Sequence, residues 1–136
     1  MSCILSLDVG TKTIGIARVG TGSRIAAPHS TLSRQGVRKD VVRLAALCTQ
    51  LGVTAIVVGL PYELDGAEGR SARLARQIGE ALGTASGLQI HYQDERYSTV
   101  EASRRLREAG HSARAQRGII DQAAAAVILE DWLRSS

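Results

Sequence analysis

The chain has 136 residues, of which 44% are hydrophobic and 22% charged, a composition typical of one globular domain. Neither a signal peptide nor an apolar run of membrane-spanning length is recognisable, so we expect a cytoplasmic protein that does not contact a membrane. The two cysteines, Cys3 and Cys48, lie in an apolar run and in a helical pattern. This favours buried thiols in a reducing compartment over a disulfide framework or a cysteine metal site.

The charge of the chain favours nucleic acid as a partner. The formal net charge is +4, and fifteen of the seventeen basic residues are arginine, whose planar guanidinium matches the geometry of a phosphate. A GC-rich genome also produces arginine-rich proteins, which is the competing explanation. Aromatic residues make up only 3% of the chain, which argues against recognition of bases by stacking on an aromatic surface.

The first half of the chain predicts a three-stranded meander followed by a helix. Two apolar runs, residues 3–9 and 13–19, are joined by a tight turn and predict a hairpin. Residues 25–32 predict a third strand, which Pro28 places at an edge because proline cannot donate to a strand ladder. Apolar residues at helical spacing predict a helix over residues 38–51 that ends at Gly52.

The second half alternates strands and helices. Residues 53–60 are apolar without alternation, which predicts a strand buried on both faces in the interior of the sheet. The patterns that follow predict a helix over 70–82, a strand over 88–92, a helix over 98–108 opened by a Ser98–Glu101 capping box, a basic linker over 111–118 and a last helix over 119–133. The expected fold class is α/β.

Carboxylates stand at three places where an α/β domain collects ligands. Asp8 interrupts the first strand, Asp94 and Glu95 follow the fifth, and Asp121 stands early in the last helix. Taken singly, Asp8 could cap a turn, Asp94 could be an ordinary loop acid, and Asp121 could favour a helix start through the helix dipole. Together they predict a cradle for two Mg²⁺ or Mn²⁺ ions, which catalyse phosphodiester hydrolysis with oxygen ligands alone.

Four segments give the chain a strong resemblance to a known family. LDVGTKTIGIA at 7–17, VVGLPYELDG at 57–66, DERYSTVEA at 94–102 and IIDQAAAAVIL at 119–129 resemble the YqgF/RuvX family of pre-16S rRNA nucleases and Holliday junction resolvase homologues. The resemblance spans nearly the whole chain. It implies a single RNase H-like nuclease domain over residues 1–136. That domain has a five-stranded mixed sheet in the order 3-2-1-4-5, with strand 2 antiparallel to the others and about four flanking helices.

The resemblance also implies roles for individual acids. The metal-binding and catalytic acids of the family correspond to Asp8, Glu95 and Asp121. Adjacent residues of an extended chain point to opposite sides, so only one acid of the Asp94–Glu95 pair is expected to reach the metals. We choose Glu95, with Asp94 as its substitute. In the first motif Thr13 stands where the family often has arginine or lysine, so one phosphate contact is expected to be missing.

Further motif residues are expected to contact or support the substrate. The densest positive stretch of the chain lies between the proposed ligands Glu95 and Asp121, where a polyanion must pass. The nucleic-acid contacts expected are Lys12 and the six arginines of this stretch: Arg96, Arg104, Arg105, Arg107, Arg114 and Arg117. The supporting residues implied are Gly10, Gly15, Gly59, Pro61, Ser98 and Thr99. A second basic cluster, Arg34, Arg38, Lys39 and Arg43, is expected to extend this surface. The alternatives are a solvated arginine-rich helix face, ordinary hairpin glycines with a solvated lysine, and a Ser98 that only caps its helix.

The function predicted is that of a metal-dependent endonuclease acting on structured nucleic acid, with the 5′ end of precursor 16S rRNA as the expected substrate. Resolution of branched DNA needs the same chemistry and is the first alternative. Symmetric resolution of a four-way junction would need two active sites and hence a dimer, and the sequence leaves monomer or homodimer open. A non-catalytic nucleic-acid-binding module is a second alternative. An actin-like ATPase or sugar kinase is a third, although such enzymes clamp nucleotide between two related domains.

Overall fold

A computed structural model describes residues 3–20, 22–61, 69–94 and 113–135, the last range by its backbone alone up to residue 121. The strands are β1 (Cys3–Val9), β2 (Thr13–Gly20), β3 (Ala27–Ser33), β4 (Val53–Leu60) and β5 (Gln89–Asp94). The helices of the described part are α1 (Val37–Leu51), α2 (Arg70–Ser86) and α3 (Ala113–Ser135).

The five strands form one sheet in the order β3-β2-β1-β4-β5. β2 pairs antiparallel with both β1 and β3, whereas β1 with β4 and β4 with β5 are parallel. The predicted strand order, with strand 2 alone reversed, is therefore confirmed. Pro28 lies on β3 at the edge of the sheet, as its missing N–H requires.

Helices cover both faces of the sheet and create two cores. On one face α1 and α2 pack on side chains such as Leu5 and Val58. On the other face α3 packs on Ala17 and Val57, with Ile128 among its buried residues. β4 contributes to both cores, which explains why its sequence is apolar without alternation.

Most predicted boundaries agree with the structure, but the linker predicted over residues 111–118 is wrong from Ala113 onward, where α3 begins. Alanine, arginine and glutamine are strong helix formers, and a single Gly118 costs a helix only about 1 kcal/mol. The helix predicted over residues 98–108 lies outside the described residues. Gly52 ends α1 in the left-handed conformation, with φ 67°, as the sequence predicted.

Two further expectations concern burial and membranes. Cys3 and Cys48 are both buried and form no disulfide. Within the described residues, the helices are either too short or too polar for a bilayer crossing.

Candidate active site

The carboxyl ends of three parallel strands meet at one edge of the sheet. β1 ends at Val9, β4 at Leu60 and β5 at Asp94, and the last two residues are register partners. Asp8 is the penultimate residue of β1 and is half-buried. Ligands of open α/β sheets collect at this edge.

Asp8 lies on the sheet face that α3 covers. The hydroxyl of Ser6, a fully buried residue, donates a hydrogen bond of 2.6 Å to the carbonyl of Ala125 in α3. Successive residues of a strand alternate between faces, so Asp8 shares the face of Ser6, while Leu7 and Val9 belong to the core under α1 and α2. A polar pair at positions 6 and 8 thus interrupts an otherwise apolar strand on one face only.

The first turns of α3 lie toward the same edge as Asp8. Near its end, α3 brings Leu133 to the same pocket as Ile4 at the start of β1, whereas the carbonyl of Ala125 accepts from Ser6. The helix α3 therefore runs antiparallel to β1, so that earlier residues of α3 lie nearer the carboxyl end of β1. Asp121 precedes Ala125 by one turn, about 6 Å along the helix axis, and Asp8 follows Ser6 by about 6.6 Å along the strand. The structure thus brings the backbone positions of Asp8 and Asp121 to one edge and one face.

Asp94 lies on the opposite face. The ring of His91 lies 5.0 Å from that of Trp132 in α3, measured between centroids. The next residue, Tyr92, packs instead against Gly79 of α2. Alternation along β5 therefore assigns Asp94, which is exposed, to the α2 face and away from Asp8. Glu95 lies outside the described residues, and its role stays a prediction.

Gly59 allows α3 to lie close to the sheet. A Cβ added at this residue would stand 2.5 Å from Cδ1 and 3.1 Å from Cγ1 of Ile128. Gly59 lies within β4, so it contributes to the site by allowing α3 to approach the sheet closely. Pro61 is the first residue after the strand. Gly15, the register partner of Asp8, is buried in β2.

The β1–β2 turn next to Asp8 is compact. The amide of Gly10 donates to the carbonyl of Thr13 at 2.8 Å. A Cβ at Gly10 would stand 3.1 Å from that same carbonyl oxygen, which makes glycine the residue that fits there. Lys12 is exposed on this turn, as a phosphate contact would have to be.

Sequence reasoning missed the most buried charge in the described part of the chain, Asp40 of α1, whose side chain is 0% exposed. It accepts hydrogen bonds from Nε of Arg34 at 2.7 Å, from the amide of Gln35 at 2.9 Å and from Nη2 of Arg43 at 2.9 Å. Burial by itself would raise the pKa of Asp40, but these three donors hold the pKa below its ordinary value. The signal was available, since Asp40 precedes Leu44 by one turn on the buried face of α1.

This network changes the interpretation of the second basic cluster. Arg34 and Arg43 both form ion pairs with Asp40, and the Arg34 side chain is only 11% exposed. The prediction that the whole cluster extends a phosphate-binding surface is therefore wrong for Arg34, because its guanidinium is already committed. Arg38 and Lys39 are exposed and keep that role as a prediction.

Of the remaining predicted site residues, some are described by their backbone alone and the others lie outside the described residues. Arg114, Arg117 and Asp121 belong to α3, where the backbone alone is described. The rest of the predicted contacts and supports lie outside the described residues: Arg96, Ser98, Thr99, Arg104, Arg105 and Arg107. Among the described side chains, histidine, cysteine, aspartate and glutamate form no metal-sized cluster.

Neither cysteine is suited to nucleophilic chemistry. Burial, with a smaller contribution from the nearby Cys3 thiol, raises the pKa of Cys48 to about 11. Burial also raises the pKa of Cys3. Since the thiolate is the nucleophile, neither residue offers a reactive group near neutral pH.

The strand order and the helices on both faces of the sheet define a fold class, the RNase H-like fold. T. thermophilus RuvC in complex with a Holliday junction superposes with a TM-score of 0.58 at 14% identity, covering 98% of this chain and 94% of that one. At this identity the likeness shows the fold alone. It agrees with the fold class that the motifs implied.

The sequence relationship is closer and identifies the family. The chain belongs to the RuvX family, described as Holliday junction resolvase, whose model matches residues 2–135. A protein of Anaeromyxobacter sp. (strain Fw109-5) named "Putative pre-16S rRNA nuclease" is 46% identical over 129 residues, covering 95% of this chain and 94% of its own. A protein of the same name from Thermosynechococcus vestitus is 38% identical over 133 residues, covering 98% and 88%. The predicted family is thus confirmed, and with it the enzyme class of nucleases, which are phosphodiester hydrolases.

Proposed function

We propose that this protein is an endonuclease that uses divalent metal ions, Mg²⁺ or Mn²⁺, to hydrolyse structured nucleic acid, and that precursor 16S rRNA is its substrate. The observation that carries the proposal is the convergence of Asp8 on β1 with the turn of α3 that bears Asp121, on one face and one edge of the sheet. Family membership supports the reaction class. In this proposal residues 1–136 work as one nuclease domain.

The residues suit a hard divalent cation. Asp8, Glu95 and Asp121 offer only carboxylate oxygens, which Mg²⁺ and Mn²⁺ prefer, and two such ions need no histidine or thiolate. When bound, the ions supply activation of water and stabilisation of charge on the leaving oxygen. We assign the middle ligand to Glu95, since alternation along β5 puts Asp94 on the α2 face.

The chain's own residues have to position the phosphodiester and neutralise its charge. Lys12, exposed on the turn after Asp8, is suited to a phosphate of the bound strand. The arginines of 96–117 are proposed to hold neighbouring phosphates, which would make binding weaken as salt rises. We expect attack by water without a covalent intermediate, as in hydrolysis supported by divalent ions. The raised pKa of both thiols argues against a cysteine nucleophile in particular.

Precursor rRNA is favoured as substrate because the curated relatives at 46% and 38% identity carry that activity in their names. Resolution of a Holliday junction is the second candidate, favoured by the family description. Symmetric cutting of a four-way junction needs two active sites and therefore a homodimer. Parallel cleavage kinetics on a precursor 16S rRNA fragment and a synthetic junction, with the oligomeric state measured in the same buffer, distinguish the two.

The metal site is tested by carboxylate-to-amide variants in matched pairs. Asp8→Asn, Glu95→Gln and Asp121→Asn are expected to lower cleavage at least ~100-fold, as loss of charge stabilisation at a reacting centre does, while nucleic-acid binding persists. Asp94→Asn and Asp131→Asn are the controls, since Asp94 lies on the other face and Asp131 lies near the far end of α3. Calorimetric Mn²⁺ binding should be lost with the first group only. Cleavage that survives EDTA, or an active Asp8→Asn protein, would refute the proposed function.

A further inference from the structure

The Asp40 carboxylate is a buried anion whose partners are unusually specific. All three of its described donors belong to the segment between β3 and the second turn of α1: Arg34, Gln35 and Arg43. A charge with 0% exposure is costly unless it is paired and hydrogen-bonded. Both carboxylate oxygens are engaged here, Oδ2 by Arg34 and Oδ1 by Gln35 and Arg43.

Arg34 connects this anion to the turn beside the candidate site. Its Nε donates to Asp40 at 2.7 Å, and its Nη1 donates to the carbonyl of Gly10 at 2.8 Å. Its backbone amide donates to the carbonyl of Lys12, also at 2.8 Å. The guanidinium is planar and rigid, so the position of the carboxylate fixes the direction of the bond to Gly10.

We propose that Asp40 is a positioning residue, which acts through Arg34 to hold the β1–β2 turn in place for substrate. The turn follows Asp8 by two residues and carries Lys12, so its position sets where both side chains meet the phosphodiester. The consequence for cleavage rests on the proposed function, whereas the mechanical link between α1 and the turn does not.

A purely stabilising ion pair would behave differently from a positioning one. The β1–β2 ladder already joins Asp8 to Gly15 and Val9 to Ile14, so the strands remain paired when Asp40 is neutralised. What the network adds is restraint on the turn beyond the ladder. Losing Asp40 should therefore loosen the turn selectively, without loosening the sheet as a whole.

The test compares two variants of the network with a control variant that lowers global stability elsewhere in the fold. Asp40→Asn removes the anion, and Arg34→Lys keeps the positive charge but cannot bond both Asp40 and Gly10. Leu82→Ala, in the fully buried core of α2, lowers stability without touching the turn. Site-resolved amide exchange is measured at Gly10 and at residue 34, which is lysine in Arg34→Lys, and at Val58 in the interior of the sheet. The first two amides donate to the carbonyls of Thr13 and Lys12, respectively.

We expect exchange at Gly10 and Arg34 to accelerate at least ~10-fold relative to Val58 in both network variants, and all three amides to change together in Leu82→Ala. The kcat for cleavage should fall at least ~10-fold in the network variants under conditions where all proteins are folded. The reason is that a small displacement of a group near the reacting atoms strongly lowers the reaction rate. Leu82→Ala should keep the kcat of the wild type.

Two outcomes overturn the proposal. The first is amide exchange that rises equally at Gly10, Arg34 and Val58 in the network variants. The second is a kcat in these variants that matches Leu82→Ala. If Asp40→Asn does not fold, Arg34→Lys carries the same comparison. If instead the wild-type protein and its Asp8→Asn variant cleave equally, the proposed function fails, and amide exchange alone decides whether Asp40 holds the turn.

Discussion

Replacing Gly59 by alanine tests how closely α3 approaches the sheet. The new Cβ would stand 2.5 Å from Cδ1 of Ile128, a distance that van der Waals repulsion does not allow, and Ile128 is only 1% exposed. The side chain cannot swing into solvent, so either it or α3 must shift. Overpacking of this kind costs about 1–3 kcal/mol. Gly59 does not have a positive φ, so the backbone itself accepts alanine.

A compensating change separates this contact from other effects. Ile128→Val removes Cδ1, the atom nearest the new Cβ, and by itself costs about 0.5–1.5 kcal/mol. Combined with Gly59→Ala it relieves the worst contact and leaves one of 3.1 Å to Cγ1. We expect the double variant to be more stable than the sum of the single changes by about 1 kcal/mol, a coupling typical of residues in contact.

Equilibrium urea unfolding of the four proteins gives the coupling free energy. The matched control is Gly20→Ala, because a Cβ at Gly20 meets nothing within 4 Å. That change should alter the free energy of unfolding by less than about 0.5 kcal/mol. A Gly59→Ala protein as stable as Gly20→Ala, or strictly additive single changes, would refute the close approach of α3.

Three further changes test other parts of the structure. Ser6→Ala removes the buried hydrogen bond of 2.6 Å to Ala125 and should lower the free energy of unfolding by about 1–2 kcal/mol. The control is Thr49→Ala, which removes an exposed hydrogen bond to a helix carbonyl and should change the free energy of unfolding by under about 0.5 kcal/mol. The pKa of Asp40 is lower in the folded protein than the ordinary aspartate pKa of about 3.9. The ionised carboxylate therefore contributes stability above about pH 3.9, and the free energy of unfolding of the wild type should fall as the pH drops below this value and Asp40 protonates. In Asp40→Asn this part of the acid-induced loss should be absent from urea titrations across pH, and an unchanged profile would contradict the assignment. Tyr92→Phe removes a buried hydroxyl that has no hydrogen-bond partner among the described residues, so thermal unfolding should show equal or higher stability, and a large loss would reveal a partner.

Local pattern was sufficient for most of the secondary structure. The apolar run of β4, the edge position of Pro28 and the end of α1 at Gly52 all follow from steric and hydrogen-bonding rules that act within a few residues. The start of α3 was missed because Gly118 suggests a break, although neighbouring strong helix formers continue the helix through it. Such boundaries depend on the balance between weak local preferences and packing.

Motifs and periodic burial can be read from the chain alone, and they were sufficient for the family, for the strand order that the family implies and for the choice of the candidate acids. The face of a strand residue depends on which helix packs there, so the placement of Asp94 toward α2 and of Asp8 toward α3 required the folded structure. The folded structure was also needed to show that Arg34 bonds Asp40 and the carbonyl of Gly10 and does not extend into solvent. The bond from Arg34 to Gly10, which lies 24 residues away, depends on proximity across the fold, and such proximity leaves no periodic trace in the chain.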